Sequence, residues 1–77
     1  MTNSNIENKG KSIRVADFLR LLGDSTEVYV FQYDFNGDTD ALYWGFAEDV
    51  KEKFYDREIE DIYAVKEDCI RICVVAE

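Results

Sequence analysis

Apolar side chains near the start of the chain recur at the spacing of an amphipathic helix. They fall at positions i, i+3, i+4 and i+7, which lie on one side of a helix. Gly23 follows directly and suits the left-handed residue that ends many helices. The helix is predicted to begin after Ser12 as its N-cap, or a few residues later if residues 13–15 are extended. Its apolar side consists of Val15, Phe18, Leu19 and Leu22.

Four later stretches alternate between apolar and polar positions, or are rich in β-branched and aromatic residues, as strands are. They span residues 27–33, 41–45, 58–65 and 69–76. Asn36-Gly37 between the first two predicts a hairpin with a type I′ turn, whose two central residues both need a positive φ. In the third stretch, Ile59 and Ile62 break the alternation, which predicts a bulge.

The segment between the two pairs of strands carries a second helical spacing. Phe46, Val50 and Phe54 lie at i, i+4 and i+8, so residues 46–54 are predicted to form a short second helix. The order is therefore α-β-β-α-β-β, an α+β fold with a four-stranded, mostly antiparallel sheet and two short helices.

The predicted core lies where the first helix meets one face of the sheet. Seventy-seven residues leave room for one domain, which we place at residues 12–77. Residues 1–11 are polar and are predicted to form a flexible N-terminal arm. On the sheet, the core positions are Val28, Val30, Ile70, Ile72 and Val74.

The opposite face of the predicted sheet is also apolar. Arg71 is the only charged residue placed among these side chains, although a sheet face in water normally carries polar residues. In the return strand, Leu42 and Trp44 are expected on one face and Tyr43 on the other. Either the second helix covers this second apolar face, or the face contacts a second copy or another partner. Its members are Tyr29, Phe31 and Tyr33 from the first strand and Cys69, Cys73 and Val75 from the last.

Composition excludes several classes of function. The chain has a net charge of −8, which phosphate repels, so direct binding of nucleic acid is not expected. It contains no histidine, which excludes catalysis that needs imidazole. No apolar stretch is long enough to cross a membrane, and the N-terminus does not have the pattern of a signal peptide. We therefore expect a cytoplasmic protein.

The cysteines and the acidic loop favour neither a cofactor nor a metal. Cys69 and Cys73 are four residues apart on a predicted strand, about 13 Å, whereas a disulfide needs Cα atoms within about 7 Å. Two thiols without histidine are too few for a zinc site. Residues 34–40 carry oxygen ligands at alternate positions, but Thr39 and Gly45 stand where a calcium loop needs glycine and glutamate. With no phosphate loop or nucleophile motif either, the chain is predicted not to be an enzyme.

The negative charge is concentrated in one part of the chain. Twelve of the seventeen acidic residues lie within residues 34–68, which hold only four basic ones. This segment is either a solvated surface or a negative patch that meets a basic partner.

Four short motifs resemble small accessory proteins of phages and mobile elements of Gram-positive bacteria. They are VADFLRLL at 15–22, TEVYV at 26–30, IEDIYAV at 59–65 and IRICV at 70–74. Some small acidic proteins of this kind are anti-CRISPR proteins, which block a nuclease by occupying its DNA-binding groove. The resemblance implies an inhibitor in the cytoplasm of a bacterial host that mimics DNA. In such an inhibitor, acidic side chains would occupy the positions of DNA phosphates in the groove of the nuclease. The residues proposed for this role, on the basis of their charge alone, are Asp38, Asp40, Glu48, Asp49, Glu52, Glu60 and Asp61.

Charge and resemblance together favour a non-enzymatic acidic protein that binds a basic, nucleic-acid-binding protein such as a nuclease. The alternative is a structural or regulatory module that forms a homodimer through Tyr29, Phe31 and Tyr33.

Overall fold

The computed structural model describes residues 13–76, in which four strands form one mixed sheet. The predicted arm at residues 1–11 lies outside these residues. A short helix, α1, precedes the sheet at Val15–Leu19, and two 3-10 turns, Ala47–Asp49 and Glu52–Phe54, follow the second strand. The strands are β1 (Glu27–Tyr33), β2 (Thr39–Phe46), β3 (Ile59–Lys66) and β4 (Cys69–Val74).

The sheet consists of two hairpins joined side by side. The strand order is β2-β1-β4-β3, and each hairpin pairs its own two strands antiparallel. The central strands β1 and β4 are parallel, with Glu27 opposite Cys69 and Phe31 opposite Cys73. The predicted α+β class and the four strands are therefore confirmed, with one parallel pair at the centre.

Helix α1 is shorter than the apolar spacing predicts. The residue before the helix is Arg14, and the predicted N-cap, Ser12, lies outside the described residues. Arg14 is extended and pairs with Glu58, just before β3. Next to this pair, the amide of Ile59 donates a hydrogen bond to the carbonyl of Ile13 at 2.8 Å. After Leu19 the chain continues in tight turns. The predicted apolar side is retained: Val15 is buried, and Phe18, Leu19 and Leu22 pack against the core.

The predicted helix at residues 46–54 is wrong as a continuous element. Val50 and Lys51 have extended backbone between the two 3-10 turns. This segment crosses the sheet diagonally, from the end of edge strand β2 to the start of the other edge strand, β3. Phe46 is the last residue of β2 and is 50 % exposed, whereas Ala47, Val50 and Phe54 are buried in the core. Phe46, Val50 and Phe54 therefore do not form one side of a helix.

Two local details of the strands also differ from expectation. Gly37 has a φ of 88°, but Asn36 does not have a positive φ, so the hairpin turn is not type I′. Instead the carboxylate of Asp34 accepts hydrogen bonds from the amides of Asn36 and Asp38, which forms a longer turn with glycine alone in the left-handed region. The predicted bulge in β3 is confirmed between Ile59 and Asp61.

A bulge in β2 changes the faces predicted for that strand. Val30 lies opposite Tyr43 and Phe31 opposite Ala41, so Leu42 is an extra residue. Leu42 and Tyr43 consequently both pack against the core, and Trp44 lies on the other face. The expectation that Leu42 and Trp44 share a face is therefore wrong.

The hydrophobic core forms where it is predicted. Val28, Val30, Ile72 and Val74 are buried, and Ile70 packs against them. The layer above them comes from α1 and from both 3-10 turns. It consists of Val15, Ala47, Val50 and Phe54.

Candidate functional site

The second apolar face of the sheet is left open by every described segment. Ala47, Val50 and Phe54 were expected to belong to a helix that could cover it, but they pack in the same core as α1. Both helical segments therefore lie on one side of the sheet. The other side is a continuous cluster of rings, which we call the aromatic face. Its members are Tyr29, Phe31, Tyr33, Trp44 and Tyr63, with Arg71 among them.

Phe31 is at the centre of the aromatic face. Its ring centroid lies 5.6 Å from those of Tyr29 and Tyr33 and 6.3 Å from that of Tyr63. These separations are in the range of favourable aromatic pairs. The surrounding side chains leave Phe31 only 1 % exposed, although no described segment lies over it. Phe31 therefore has the burial of a core residue.

Trp44 is the most exposed ring of the face. It lies opposite Tyr29 in the β1–β2 pair, and the two ring centroids are 5.8 Å apart. Its side chain is 70 % exposed. Its indole N–H donates to the carboxylate of Glu27, which holds the ring in one orientation. A large, oriented and exposed ring is typical of residues that contribute strongly to protein interfaces.

Arg71 lies over the middle of the aromatic face. Its guanidinium carbon is 4.8 Å from the ring centroid of Phe31 and 5.3 Å from that of Tyr29. Such contacts between a cation and an aromatic ring are attractive. Within residues 13–76, no carboxylate forms an ion pair with this guanidinium, and its buried Nε has no hydrogen-bond partner.

A carboxylate lies at each of two opposite corners of the face. Glu27, at the start of β1, accepts a hydrogen bond from the indole N–H of Trp44. Asp61, on edge strand β3, accepts a hydrogen bond from the hydroxyl of Tyr63 at 3.1 Å. The face is thus apolar in the middle with one cation, and acidic at two corners. A partner of matching chemistry would present apolar side chains with basic residues around them.

The hydrogen bond to Asp61 gives a prediction about Tyr63. The carboxylate accepts a hydrogen bond from the hydroxyl group, which raises the pKa of Tyr63 from 10.0 to about 12. Its contribution to stability is present below pH 10 and is lost as the pH rises through about 12, because the phenolate cannot donate. In Asp61→Asn we expect the pKa of Tyr63 to fall towards 10.0, measured by carbon NMR of labelled tyrosine. Glu60→Gln, at the neighbouring exposed carboxylate, is the control. An unchanged Tyr63 pKa in Asp61→Asn would contradict this assignment.

Four of the seven predicted carboxylates lie near β2, two at each end of the strand. Asp38 and Asp40 are at the hairpin tip, where the carboxylate of Asp40 accepts a hydrogen bond from the side-chain amide of Gln32 at 2.9 Å. Glu48 and Asp49 are in the first 3-10 turn, beyond the other end of the strand. The pKa of Tyr43 is raised, mainly because its side chain is partly buried and also because of the nearby negative charges of Asp49 and Glu48.

The remaining predicted carboxylates belong to other elements. Glu52 is in the second 3-10 turn, on the core side of the sheet, and Glu60 and Asp61 are on β3, the edge opposite β2. All seven are exposed, and none forms an ion pair with another described residue. Of the seven, the structure places only Asp61 within the aromatic face. The others are distributed around the domain.

Two residues of the face were not placed on it from the sequence, Trp44 and Tyr63. Trp44 was missed because the β2 bulge interrupts the alternation of side chains between the two faces of the sheet. A hairpin partner position opposite the aromatic Tyr29 could have indicated that Trp44 lies on the same face as Tyr29. Tyr63 was missed because the bulges in β3 disturb the same alternation. In contrast, Tyr29, Phe31 and Tyr33 share the face as predicted.

A recess lies between the rings and the β3–β4 hairpin. It has a volume of about 210 Å³. The lining residues are Tyr29, Trp44, Val65, Cys69 and Arg71.

Both cysteines are free, and they occupy this same face. Cys73 is buried, and burial raises the pKa of its thiol. Cys69 is half-buried at the recess. Between residues 13 and 76, no group of three or more acidic or cysteine side chains is arranged to hold a metal ion. The same residues include no helix that is long and apolar enough to span a membrane.

No protein-family model, curated protein or solved structure matches this chain.

Proposed function

We propose that this is a non-enzymatic binding protein whose aromatic face contacts a basic protein. The observation that carries the proposal is the packing of both helical segments on the same side of the sheet. Five rings on the other side are left without a cover from any described segment. Aromatic residues are enriched in protein interfaces, and contiguous exposed apolar patches mark contact sites.

The charge supports a basic partner. The net charge of −8 attracts a positively charged protein over long range and increases the rate of association at low salt. At the face itself, Glu27 and Asp61 can accept from lysine or arginine side chains that surround an apolar centre. A more specific version of the proposal rests on the net charge of −8, because the seven exposed carboxylates do not lie together on one face. In that version the partner is a DNA-binding nuclease of a bacterial host, and the protein inhibits it by competing with DNA.

A crosslinking experiment tests the location of the contact. A photoreactive phenylalanine analogue replaces Trp44 in one protein and Leu21 in a control. Both positions are highly exposed, but Leu21 follows α1, on the opposite side of the sheet. We expect basic proteins of a bacterial lysate to crosslink at position 44 and not at 21, and less so as salt is raised. Equal capture at both positions, or capture of acidic proteins only, would overturn the proposal.

Two further experiments distinguish the nuclease inhibitor and the homodimer from the general proposal. Charge reversal of Glu48, Asp49 and Asp61 to lysine should weaken capture if the wider acidic surface takes part. In that case the protein should also inhibit DNA cleavage by a purified RNA-guided nuclease. If the crosslink at position 44 joins two copies of this chain, and sedimentation gives a concentration-dependent dimer, the homodimer alternative is correct.

A further inference from the structure

The recess at one end of the aromatic face is lined by residues of all four strands. Tyr29 of β1 lies opposite Trp44 of β2 and opposite Arg71 of β4, so these three residues form one row across the sheet. Cys69 and Val65, from the two strands of the second hairpin, line the rest of the recess. The exposed lining is apolar, so Arg71 contributes only carbon atoms to it. The recess can therefore take up an apolar group.

The positions of the rings limit the shape of that group. The ring centroids of Tyr29 and Trp44 are 5.8 Å apart, so the two rings contact each other and leave no space between them. A group in the recess lies beside both rings, against Val65 and Cys69. Apolar cavities of about 150 Å³ bind benzene, so the 210 Å³ of this recess is enough for one branched aliphatic side chain such as that of leucine.

The end of the recess next to the β3–β4 turn is acidic. Glu27 begins β1 here, and its carboxylate accepts a hydrogen bond from the indole N–H of Trp44. The turn contains the exposed Glu67 and Asp68, and the carbonyl of Asp68 accepts a hydrogen bond from the amide of Glu27 at 2.8 Å. Three acidic residues are thus at this end, with one basic neighbour, Lys66. This arrangement is complementary to an apolar side chain with a cation beside it.

We propose that the recess anchors the basic partner by taking up one leucine-sized aliphatic side chain whose neighbours in sequence are lysine or arginine. The aliphatic side chain packs against Trp44, Tyr29 and Val65, and the adjacent cation pairs with Glu27 and the carboxylates of the turn. This inference rests on the proposed function, because it specifies which part of the partner the aromatic face contacts. A short peptide of the same chemistry should therefore bind without the rest of the partner.

Three short peptides test the recess on the unmodified protein. The probe is acetyl-Lys-Leu-Lys-amide, compared with the Lys-Ala-Lys form, which keeps the charge, and the Glu-Leu-Glu form, which keeps the leucine. The only tryptophan of the chain lines the recess, so its fluorescence reports binding of these non-aromatic peptides. We expect a saturable change with millimolar Lys-Leu-Lys, and at least about tenfold weaker binding of the other two, which lose the buried leucine or the charge attraction. No saturable response to Lys-Leu-Lys, or equal binding of either comparison peptide, would overturn the proposal.

Two matched pairs of variants test the place of binding. Val65→Phe puts a ring into the recess, whereas Val75→Phe adds the same ring at a partly exposed valine outside it. Glu67→Lys reverses a charge beside the recess, and Glu52→Lys makes the same change on the core side of the sheet. Binding of Lys-Leu-Lys should weaken at least about tenfold in Val65→Phe and about threefold or more in Glu67→Lys, with smaller changes in the two controls. Equal effects within either pair would contradict the assignment.

Neither experiment uses the partner, so the peptides can fail to bind while the crosslinking result stands. In that case the partner contacts the aromatic face without the recess as its anchor. In the reverse case, a peptide that binds at the recess supports this assignment, and a lysate from which no basic protein is captured counts against the proposed function alone.

Discussion

Replacement of Ile72 by alanine is expected to lower the free energy of unfolding by about 2–5 kcal/mol. Ile72 is fully buried on the central strand β4, where it packs in the core below α1 and the 3-10 turns. The loss has two parts, the hydrophobic free energy of the buried carbon atoms that are removed and the cost of the cavity that they leave. A chain of this length has roughly 4–12 kcal/mol of stability in total, so this loss is a large fraction of it.

The same strand pair provides a matched control. Ile62 lies directly opposite Ile72, on edge strand β3, but is 37 % exposed. Ile62→Ala should therefore cost about 1 kcal/mol or less. Urea unfolding followed by circular dichroism measures both changes. Equal losses for the two variants would mean that β3 is covered in solution, or that the core does not lie on this side of the sheet.

Phe31→Ala is expected to have an effect of similar size from the opposite face. Phe31 is 1 % exposed and contacts three other rings, so its removal should cost about 3–5 kcal/mol. The contact with Arg71 is lost as well. We expect this variant to lose stability, and to lose partner capture only as a consequence of unfolding.

Trp44→Ala should show the reverse pattern. Its ring is mostly exposed and makes one ring contact and one hydrogen bond, so the stability loss should be about 1 kcal/mol or less. Partner capture, measured at a temperature where both proteins are folded, should fall by at least about tenfold, as for a central interface residue. A Trp44→Ala protein that binds as well as the unmodified one would exclude this end of the face from the interface.

Local patterns predicted those parts of the fold that local physics determines. The alternation in residues 27–33 gave β1 with the bounds observed, and the same alternation placed Tyr29, Phe31 and Tyr33 on one face. Cys69 and Cys73 lie on that face for the same reason. A side chain every second residue is a property of the extended backbone and needs no knowledge of the rest of the chain.

Features that depend on distant neighbours were not predictable in the same way. Residues 46–54 have a helical spacing, but Phe46 pairs in β2 with Glu27 of β1, and the residues of this segment that are buried are Ala47, Val50 and Phe54. The bulge at Leu42 depends on how β2 aligns with β1, and it moved Trp44 into the aromatic face. The charge pattern identified an acidic segment, but only the fold shows that its carboxylates lie at both ends and both edges of the sheet.

The parallel pairing of β1 with β4 has a consequence for the order of events during synthesis. Glu27 is translated 42 residues before its partner Cys69, and both hairpins can form before the two are joined. The contacts at the centre of the sheet close a long loop, which slows folding relative to a domain with local contacts. A ribosome that stops before residue 69 would release a chain whose β1 has one bare edge. Such nascent chains have an unpaired strand edge, which favours aggregation.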